Sequence, residues 1–283
     1  MSQTLKSFDL HGRVAVVTGG AGLLGRQFCQ TLAEAGAQVV VADLNADSTA
    51  QVATEINRLC AQGESISAAG LPTDVSSKDS VQALVTETLK RFGRLDILVN
   101  SAALDPKFDP QNLGKDVDHG GDGAFETYPL EAWNQALQVN LTGMFLCCQA
   151  AVRPMLQQGR GVIINICSMY GLVGPDQRLY QRPGQPPQFK PVYYSVTKAG
   201  VIGLTRYLAA YYAGKNIRVN ALTPGGVYNN HDPEFVQAYS ARAILGRMAH
   251  QDEMNGALLF LASDASQYMT GANLVVDGGW TAW

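Results

Sequence analysis

Residues 14–25 read Val-Ala-Val-Val-Thr-Gly-Gly-Ala-Gly-Leu-Leu-Gly, an apolar β-branched run that stops at Thr18 and gives way to a glycine-rich turn. Consecutive apolar residues suit a strand covered on both faces. The turn carries a GxGxxG spacing from Gly20 to Gly25, and Leu24, Phe28 and Leu32 then recur every four residues, the stripe of a helix with one face on a core. Strand, glycine turn and helix in that order set backbone N–H groups and a helix N-terminus where a pyrophosphate can approach, because residues without a Cβ leave room for it. A second apolar run, Val39-Val40-Val41, leads to Asp43, 18 residues after Gly25. That is close to the spacing at which an acid accepts the adenosine ribose hydroxyls of a dinucleotide. A 2′-phosphate there would meet the Asp43 carboxylate, and no arginine or lysine stands among residues 18 to 25 or at 44. The reading favours NAD over NADP. A tight strand-to-helix turn with an incidental acid is the alternative.

Working outward, further runs follow at Leu95 to Val99, Val162 to Ile166, Ile217 to Leu222 and Leu274 to Val276, with a weaker one at Ile66 to Leu71. Helical patterns separate them; Val81, Leu84, Val85, Leu89 and Phe92 give one. Strands alternating with helices mean a parallel sheet, here seven strands doubly wound as an α/β Rossmann fold with helices on both faces. No composition shift or linker marks a second domain, so residues 1–283 are expected to form one dinucleotide-binding and catalytic domain. Two stretches interrupt the pattern, Leu104 to Thr127, rich in Asp and Gly, and Gly171 to Pro191, which holds five prolines. Long loops in compact domains are usually functional.

Composition narrows the classes. The 283 residues are 46% hydrophobic and 16% charged with a net charge of −3, enough for a buried core and without the basic footprint of a nucleic-acid binder. The longest apolar runs fall far short of the ~20 residues that span a bilayer, and residues 2–13 lack the apolar region of an export signal. Cys29, Cys60, Cys147, Cys148 and Cys167 are odd in number and show no CxxC spacing, which fits reduced thiols. A cytoplasmic enzyme acting on a small molecule is expected. The acids from Asp116 to Asp122 have Gly120 at the fifth loop position and no glutamate at the twelfth, so they do not match a calcium loop, and no metal site is expected.

Tyr194 and Lys198 stand four residues apart at the start of a helical stripe that includes Val201, Leu204 and Leu208, so they share a helical face. A phenol ionises near ~10, and proton transfer near neutrality needs that lowered by ~2 to 3 units, or ~3 to 4 kcal/mol. A neighbouring ammonium together with a cationic nicotinamide can supply it. The pair by itself is common by chance. Here it stands in a series: the glycine turn, Asp74-Val75, Asn100 after a strand, Asn140, Ser168 after a strand, Tyr194 and Lys198, Pro224-Gly225, and Asp277-Gly278-Gly279.

In that order these residues resemble the short-chain dehydrogenase/reductase family over essentially the whole chain. The resemblance implies that Tyr194 is the general acid/base, that Lys198 lowers its pKa and holds the nicotinamide ribose, that Ser168 steadies the reacting oxygen and that Asn140 supports a proton relay. It implies cofactor contacts at Gly19, Gly22, Leu23, Leu24 and Gly25, at Asp43, at Asp74 and Val75 on the adenine, at Asn100 and Ala102 beside the ribose, and at Val227 and Asn229 on the carboxamide. Homotetramers built through the long helices, with the aromatic tail Trp280 to Trp283 at an interface, are likewise implied. The chain departs from the family where Leu23 replaces the second glycine of TGxxxGxG, where NNAG becomes Asn100-Ser101-Ala102-Ala103, and where Asn229 holds a threonine position.

Ser168 and Tyr194 are 26 residues apart, about twice the family interval, so Gly171 to Pro191 is an insertion beside the reacting carbonyl. It carries Arg178, Arg182 and Lys190 against the single acid Asp176, a cationic rim for an anionic substrate or else solvated loop charge. Substrate contacts are expected from Ser168, Tyr170, Arg178 and Tyr194, and from His231 in a lid at Tyr228 to Leu245. The insertion and the tail resemble members acting in bacterial sugar metabolism and flagellin-sugar modification. That implies an NAD-dependent enzyme interconverting a hydroxyl or hemiacetal with a carbonyl or lactone on a sugar or sugar derivative. A 3-oxoacyl thioester ketoreductase and a non-catalytic NAD-binding protein are the alternatives.

Overall fold

The computed structural model describes residues 2–60, 67–105 and 123–283. Seven parallel strands form one sheet in the order β3-β2-β1-β4-β5-β6-β7, with β1 at Val14–Thr18, β2 at Gln38–Asp43, β3 at Ala68–Pro72, β4 at Ile97–Asn100, β5 at Gly161–Ile166, β6 at Ile217–Pro224 and β7 at Asn273–Val276. β1 and β5 are buried at every position, as strands sandwiched by helices must be. The expected strand at Ile66 to Leu71 is shifted to Ala68–Pro72, and Ile66 lies outside the described residues. β4 starts two residues later than its apolar run because the buried Asp96 side chain takes the Val14 N–H and pairs with Arg94.

After a short α1 (Gln3–Lys6), the helices are α2 (Leu23–Glu34), α3 (Ala46–Leu59), α4 (Lys78–Phe92), α5 (Leu130–Leu137), α6 (Met144–Gln158), α7 (Val192–Tyr211), α8 (Pro233–Ser240) and α9 (Asn255–Ala262). Local chemistry sets their ends. Asn45 and Ser77 cap α3 and α4 by accepting the N–H groups of Ser48 and Ser80, and Gly93 closes α4 in the left-handed conformation at φ 76°. α2 and α9 pack on one face with Phe28, Leu32, Leu258 and Leu261, while α4, α6 and α7 cover the other with Leu84, Met155 and Val201. No helix among the described residues is long and apolar enough to cross a membrane.

The strand order reverses between β1 and β4, so the chain leaves them toward opposite sides and opens a crevice at the carboxyl ends of the strands. A third apolar cluster, built from Leu179, Tyr180, Tyr193, Phe235, Tyr239 and Trp280 among others, closes this end. Trp280 stacks on Tyr239 at 4.4 Å between centroids and belongs to that core, whereas Trp283 at the end of the tail is exposed.

Candidate active site

A cavity of about 620 Å³ runs from the glycine turn across the crevice to Tyr194. At its first end Gly19 adopts φ +65°, which a side chain rarely tolerates, and a Cβ added there would meet Ala102 Cα at 2.8 Å. A Cβ on Gly25 would meet the Gly19 carbonyl oxygen at 1.9 Å, so α2 can start this close to the turn only from a glycine. This cradle has the form a pyrophosphate needs, and Gly19, Gly22, Leu23, Leu24 and Gly25 all line it. Asp43 at the end of β2 also faces the cavity. Its carboxylate accepts the N–H of Ala21 at 3.1 Å and of Leu44 at 2.8 Å, which fixes it beside the turn. Asp74, Val75, Ala102, Val227 and Asn229 line the same space. The described residues therefore fit a dinucleotide, with acceptors at the adenosine end and no lining cation beside Asp43: the lining lysines are Lys190, over the Tyr194 ring, and Lys198, bonded to the Ile166 carbonyl.

Asn100 does not line the cavity. Its amide donates to Asn165 Oδ1 at 2.9 Å and contacts Cys148 Sγ at 3.2 Å, 2% exposed. It ties β4 to β5 below the cavity floor, and the neighbouring Ser101 and Ala102 form the wall instead.

At the other end α7 carries Tyr194 and Lys198, both buried. Lys198 Nζ donates to the Ile166 carbonyl at 2.9 Å and lies 5.7 Å from the Tyr194 ring centre. Ser168 caps a turn of 3₁₀ helix at Met169–Gly171 by accepting the Tyr170 N–H at 3.2 Å, which holds its side chain in the cavity. Asn140 sits in a π-helical segment, Gln138–Gly143, that joins α5 to α6, the kind of irregularity that recurs at functional sites. Its amide accepts the Leu104 N–H at 2.6 Å, donates to the Leu104 carbonyl at 3.0 Å and reaches Thr197 Oγ1 at 3.4 Å. It therefore pins the chain after β4 against α7.

Burial pushes the Tyr194 phenol well above its ordinary pKa and Asp105 adds to this, while a hydrogen bond with the Ser168 side chain works the other way. Burial also lowers the Lys198 ammonium. Burial, which disfavours charge on either group, is the largest influence on both.

The insertion is packed. Leu179 and Tyr180 are buried, Gln177 exchanges two hydrogen bonds with the Lys190 backbone, and Tyr180 donates to Tyr170 Oη at 3.2 Å. Of the two readings of the insertion's charge, the cationic rim does not form, and surface loop charge is what Arg178 shows. Arg178 is 83% exposed with its guanidinium on Asp176 at 2.8 Å, and it does not line the cavity. Arg182 pairs with Asp232 at the N-terminus of α8, and Arg242 crosses to Asp176 at 2.5 Å, so these charges fasten the insertion to the lid. Lys190 alone of the insertion's cations reaches the cavity, lying over the Tyr194 ring at 4.2 Å and paired with Asp105. Sequence reasoning missed Asp105, whose one signal is its place just after the β4 loop. Tyr170 and His231 both line the cavity, His231 stacked on Phe235 at 5.3 Å and accepting the Asn229 N–H at 3.1 Å. Residues 106–122, including the acids at 116–122, lie outside the described residues.

A dinucleotide cradle joined through one cavity to a buried tyrosine and lysine defines a nicotinamide-dependent oxidoreductase of the Rossmann class. A family model described as enoyl-(acyl carrier protein) reductase matches residues 21–281. The chain belongs to the short-chain dehydrogenase/reductase family. It is 34% identical over 279 residues to D-threitol dehydrogenase of Mycolicibacterium smegmatis, covering 97% of this chain and 95% of that one. The similarity to the 3-oxoacyl-[acyl-carrier-protein] reductase FabG of Aquifex aeolicus is 33% over 274 residues, 95% of this chain and 98% of that one. A solved gluconate 5-dehydrogenase from Burkholderia cenocepacia, in complex with NADP and tartrate, superposes with TM-score 0.82 at 31% identity, covering 99% of this chain and 100% of that one.

Proposed function

We propose that residues 1–283 act as one catalytic unit, an NAD-dependent dehydrogenase that interconverts a secondary hydroxyl or hemiacetal with a carbonyl or lactone on a polyhydroxylated compound, a sugar or sugar derivative. The observation that carries this reading is the unbroken cavity from Asp43 and the glycine cradle to Tyr194, Lys198 and Ser168. The polyol substrate named for the M. smegmatis relative supports the substrate class. Asp43 supports NAD, although the gluconate 5-dehydrogenase structure contains NADP.

When bound, the oxidised cofactor supplies an electrophilic nicotinamide carbon that takes the hydride. Tyr194, ionised in the complex, accepts the substrate hydroxyl proton as the carbonyl forms. Ser168 donates to the reacting oxygen, which orients the carbon. Lys198, 5.7 Å from the phenol ring centre, would add its positive charge there and would hold the nicotinamide ribose. Asn140 holds Leu104 in place and thereby supports the proton path along this wall. We also read the chain as a cytoplasmic homotetramer. Exposed Phe145 and Leu156 on α6, and Val196, Tyr207 and Tyr211 on α7, offer the apolar helical surface such an assembly needs.

FabG favours a second reading, reduction of a 3-oxoacyl thioester. Initial rates of NADH formation with polyols and sugars, and of NADH consumption with 3-oxoacyl thioesters, separate the two. Tyr194→Phe should reduce alcohol turnover at least about 10³-fold and leave NADH binding intact; turnover within tenfold of wild type would sink the assignment.

A further inference from the structure

The insertion brings one ammonium to the substrate end of the cavity and sets a carboxylate against it. We propose that Lys190 and Asp105 together clamp a hydroxyl on the carbon beside the reacting one, which makes a neutral vicinal diol the preferred substrate over a lone alcohol or a carboxylate. The inference rests on the dehydrogenase reading above.

Both halves of the clamp are built on fixed backbone. Lys190 is held by Gln177, whose Oε1 accepts the Lys190 N–H at 2.8 Å and whose Nε2 donates to the Lys190 carbonyl at 3.1 Å. Asp105 follows Leu104, whose N–H and C=O are both taken by Asn140. The two side chains come from positions 85 residues apart and meet in an ion pair, the lysine 11% exposed and the aspartate 51%. Lys190 Nζ stands 4.2 Å from the ring centre of Tyr194 and lines the same cavity as Tyr194 and Ser168, which places it at the substrate end. Groups positioned before the ligand arrives bind it at a lower entropy cost.

The chemistry of the pair selects its ligand. A hydroxyl donates one hydrogen bond and accepts others, so it can take from the Lys190 ammonium and give to the Asp105 carboxylate at once. A carboxylate can only accept. It would satisfy Lys190 and face the negative charge of Asp105, and the remaining cations of the insertion do not offset this because Arg178 lies on Asp176 and Arg182 on Asp232, while Arg242 of the lid is also on Asp176. A plain alkyl group would take water from a charged pair and give it no hydrogen bond in return, which costs free energy.

The test uses ratios of kcat/KM at saturating NAD+ for 2,3-butanediol, 2-butanol and 3-hydroxybutyrate. Any general loss, from partial unfolding or from the effect of Lys190 on Tyr194, cancels in the ratio. The wild-type protein should favour the diol over 2-butanol by at least about tenfold, the worth of one charge-assisted hydrogen bond, and Lys190→Met and Asp105→Asn should each bring that ratio to within about twofold of unity. Asp105→Asn should in addition raise the ratio of 3-hydroxybutyrate to 2-butanol, since Lys190 then meets the anion unopposed. A wild-type ratio near unity, or one that both variants leave unchanged, overturns the clamp and leaves the dehydrogenase reading standing. Failure of the wild-type protein to oxidise any of the three overturns the clamp, and the dehydrogenase reading falls with it only if the polyols and sugars named above also give no NADH.

Discussion

Replacing Asp43 by Asn tests the adenosine end of the site in isolation, because it removes a charge at nearly constant shape. In the wild-type protein a 2′-phosphate drawn into contact with the Asp43 carboxylate would bring like charges to within about 4 Å, the range at which their repulsion is felt directly. At an effective dielectric constant between about 20 and 80, each unit of like charge there costs about 1 to 4 kcal/mol, and the phosphate carries about −1.5 to −2. Loss of a ribose hydroxyl bond to the carboxylate adds about 1.5 to 3 kcal/mol. Even the lower ends sum to about 3 kcal/mol, so kcat/KM should favour NAD+ over NADP+ by at least about 10²-fold. The opposing possibility, a cation that rescues the phosphate, has no support among the described lining residues, whose lysines are Lys190 over the Tyr194 ring and Lys198 on the Ile166 carbonyl. In Asp43→Asn the amide oxygen can still accept the N–H of Ala21 or of Leu44 but the NH₂ cannot, a stability loss of about 1 kcal/mol that a melting curve will register. The NAD+ to NADP+ ratio should fall by at least about tenfold, through both a slower reaction with NAD+ and a faster one with NADP+. A wild-type preference for NADP+, or a ratio that Asp43→Asn does not move, refutes the electrostatic argument.

Because Tyr194 must be ionised to accept a proton and protonated to give one, alcohol oxidation should rise with pH through the phenol's pKa in the complex and carbonyl reduction should fall over the same range; Lys198→Met should move both inflections to higher pH, and unmoved inflections would remove the lysine from this role. Gly25→Ala drives a Cβ to 1.9 Å from the Gly19 carbonyl, so the turn must open; NADH affinity by fluorescence titration should weaken at least about tenfold, against no change if the turn does not hold the cofactor. Arg182→Ala should destabilise the fold by on the order of 3 kcal/mol by leaving Asp232 without its guanidinium. Burial opposes the Asp232 charge, but Arg182 and the α8 N–H groups outweigh it and hold the pKa below its ordinary value. That stability is present above the ordinary carboxylate range and lost as pH falls below about 4, so melting curves of Arg182→Ala should be flatter in acid than those of the wild-type protein.

The sheet was legible because its signal is local. Val14 to Val17 and Val162 to Ile166 are apolar at successive positions, and strands buried on both faces leave that trace wherever they occur. The errors fall where a side chain from elsewhere decides the boundary. Asp96 takes the Val14 N–H and so delays β4, a contact across 82 residues that no window of sequence contains. The burial of Trp280 was equally out of reach, because its stacking partner Tyr239 lies 41 positions earlier.

The site divides along the same line. Tyr194 and Lys198 share one helix face, so their spacing alone places them together, whereas Lys190 and Asp105 meet only because two loops converge over α7. Counting charges in the insertion misassigned Arg178 for a related reason: three cations against one acid suggest an anion site, but Asp176 lies two residues away and Asp232 is brought in by the lid, so the excess is neutralised before a substrate arrives. Spacing is equally silent on protonation. Residue order places an amine next to a phenol and suggests an acidic tyrosine, but the degree of burial decides the sign, and here the shell that excludes water raises the phenol. Burial and Asp105 both oppose ionisation of Tyr194 in the chain alone, so under the proposed mechanism the ionised form would need a positive nicotinamide ring to add its charge to that of Lys198.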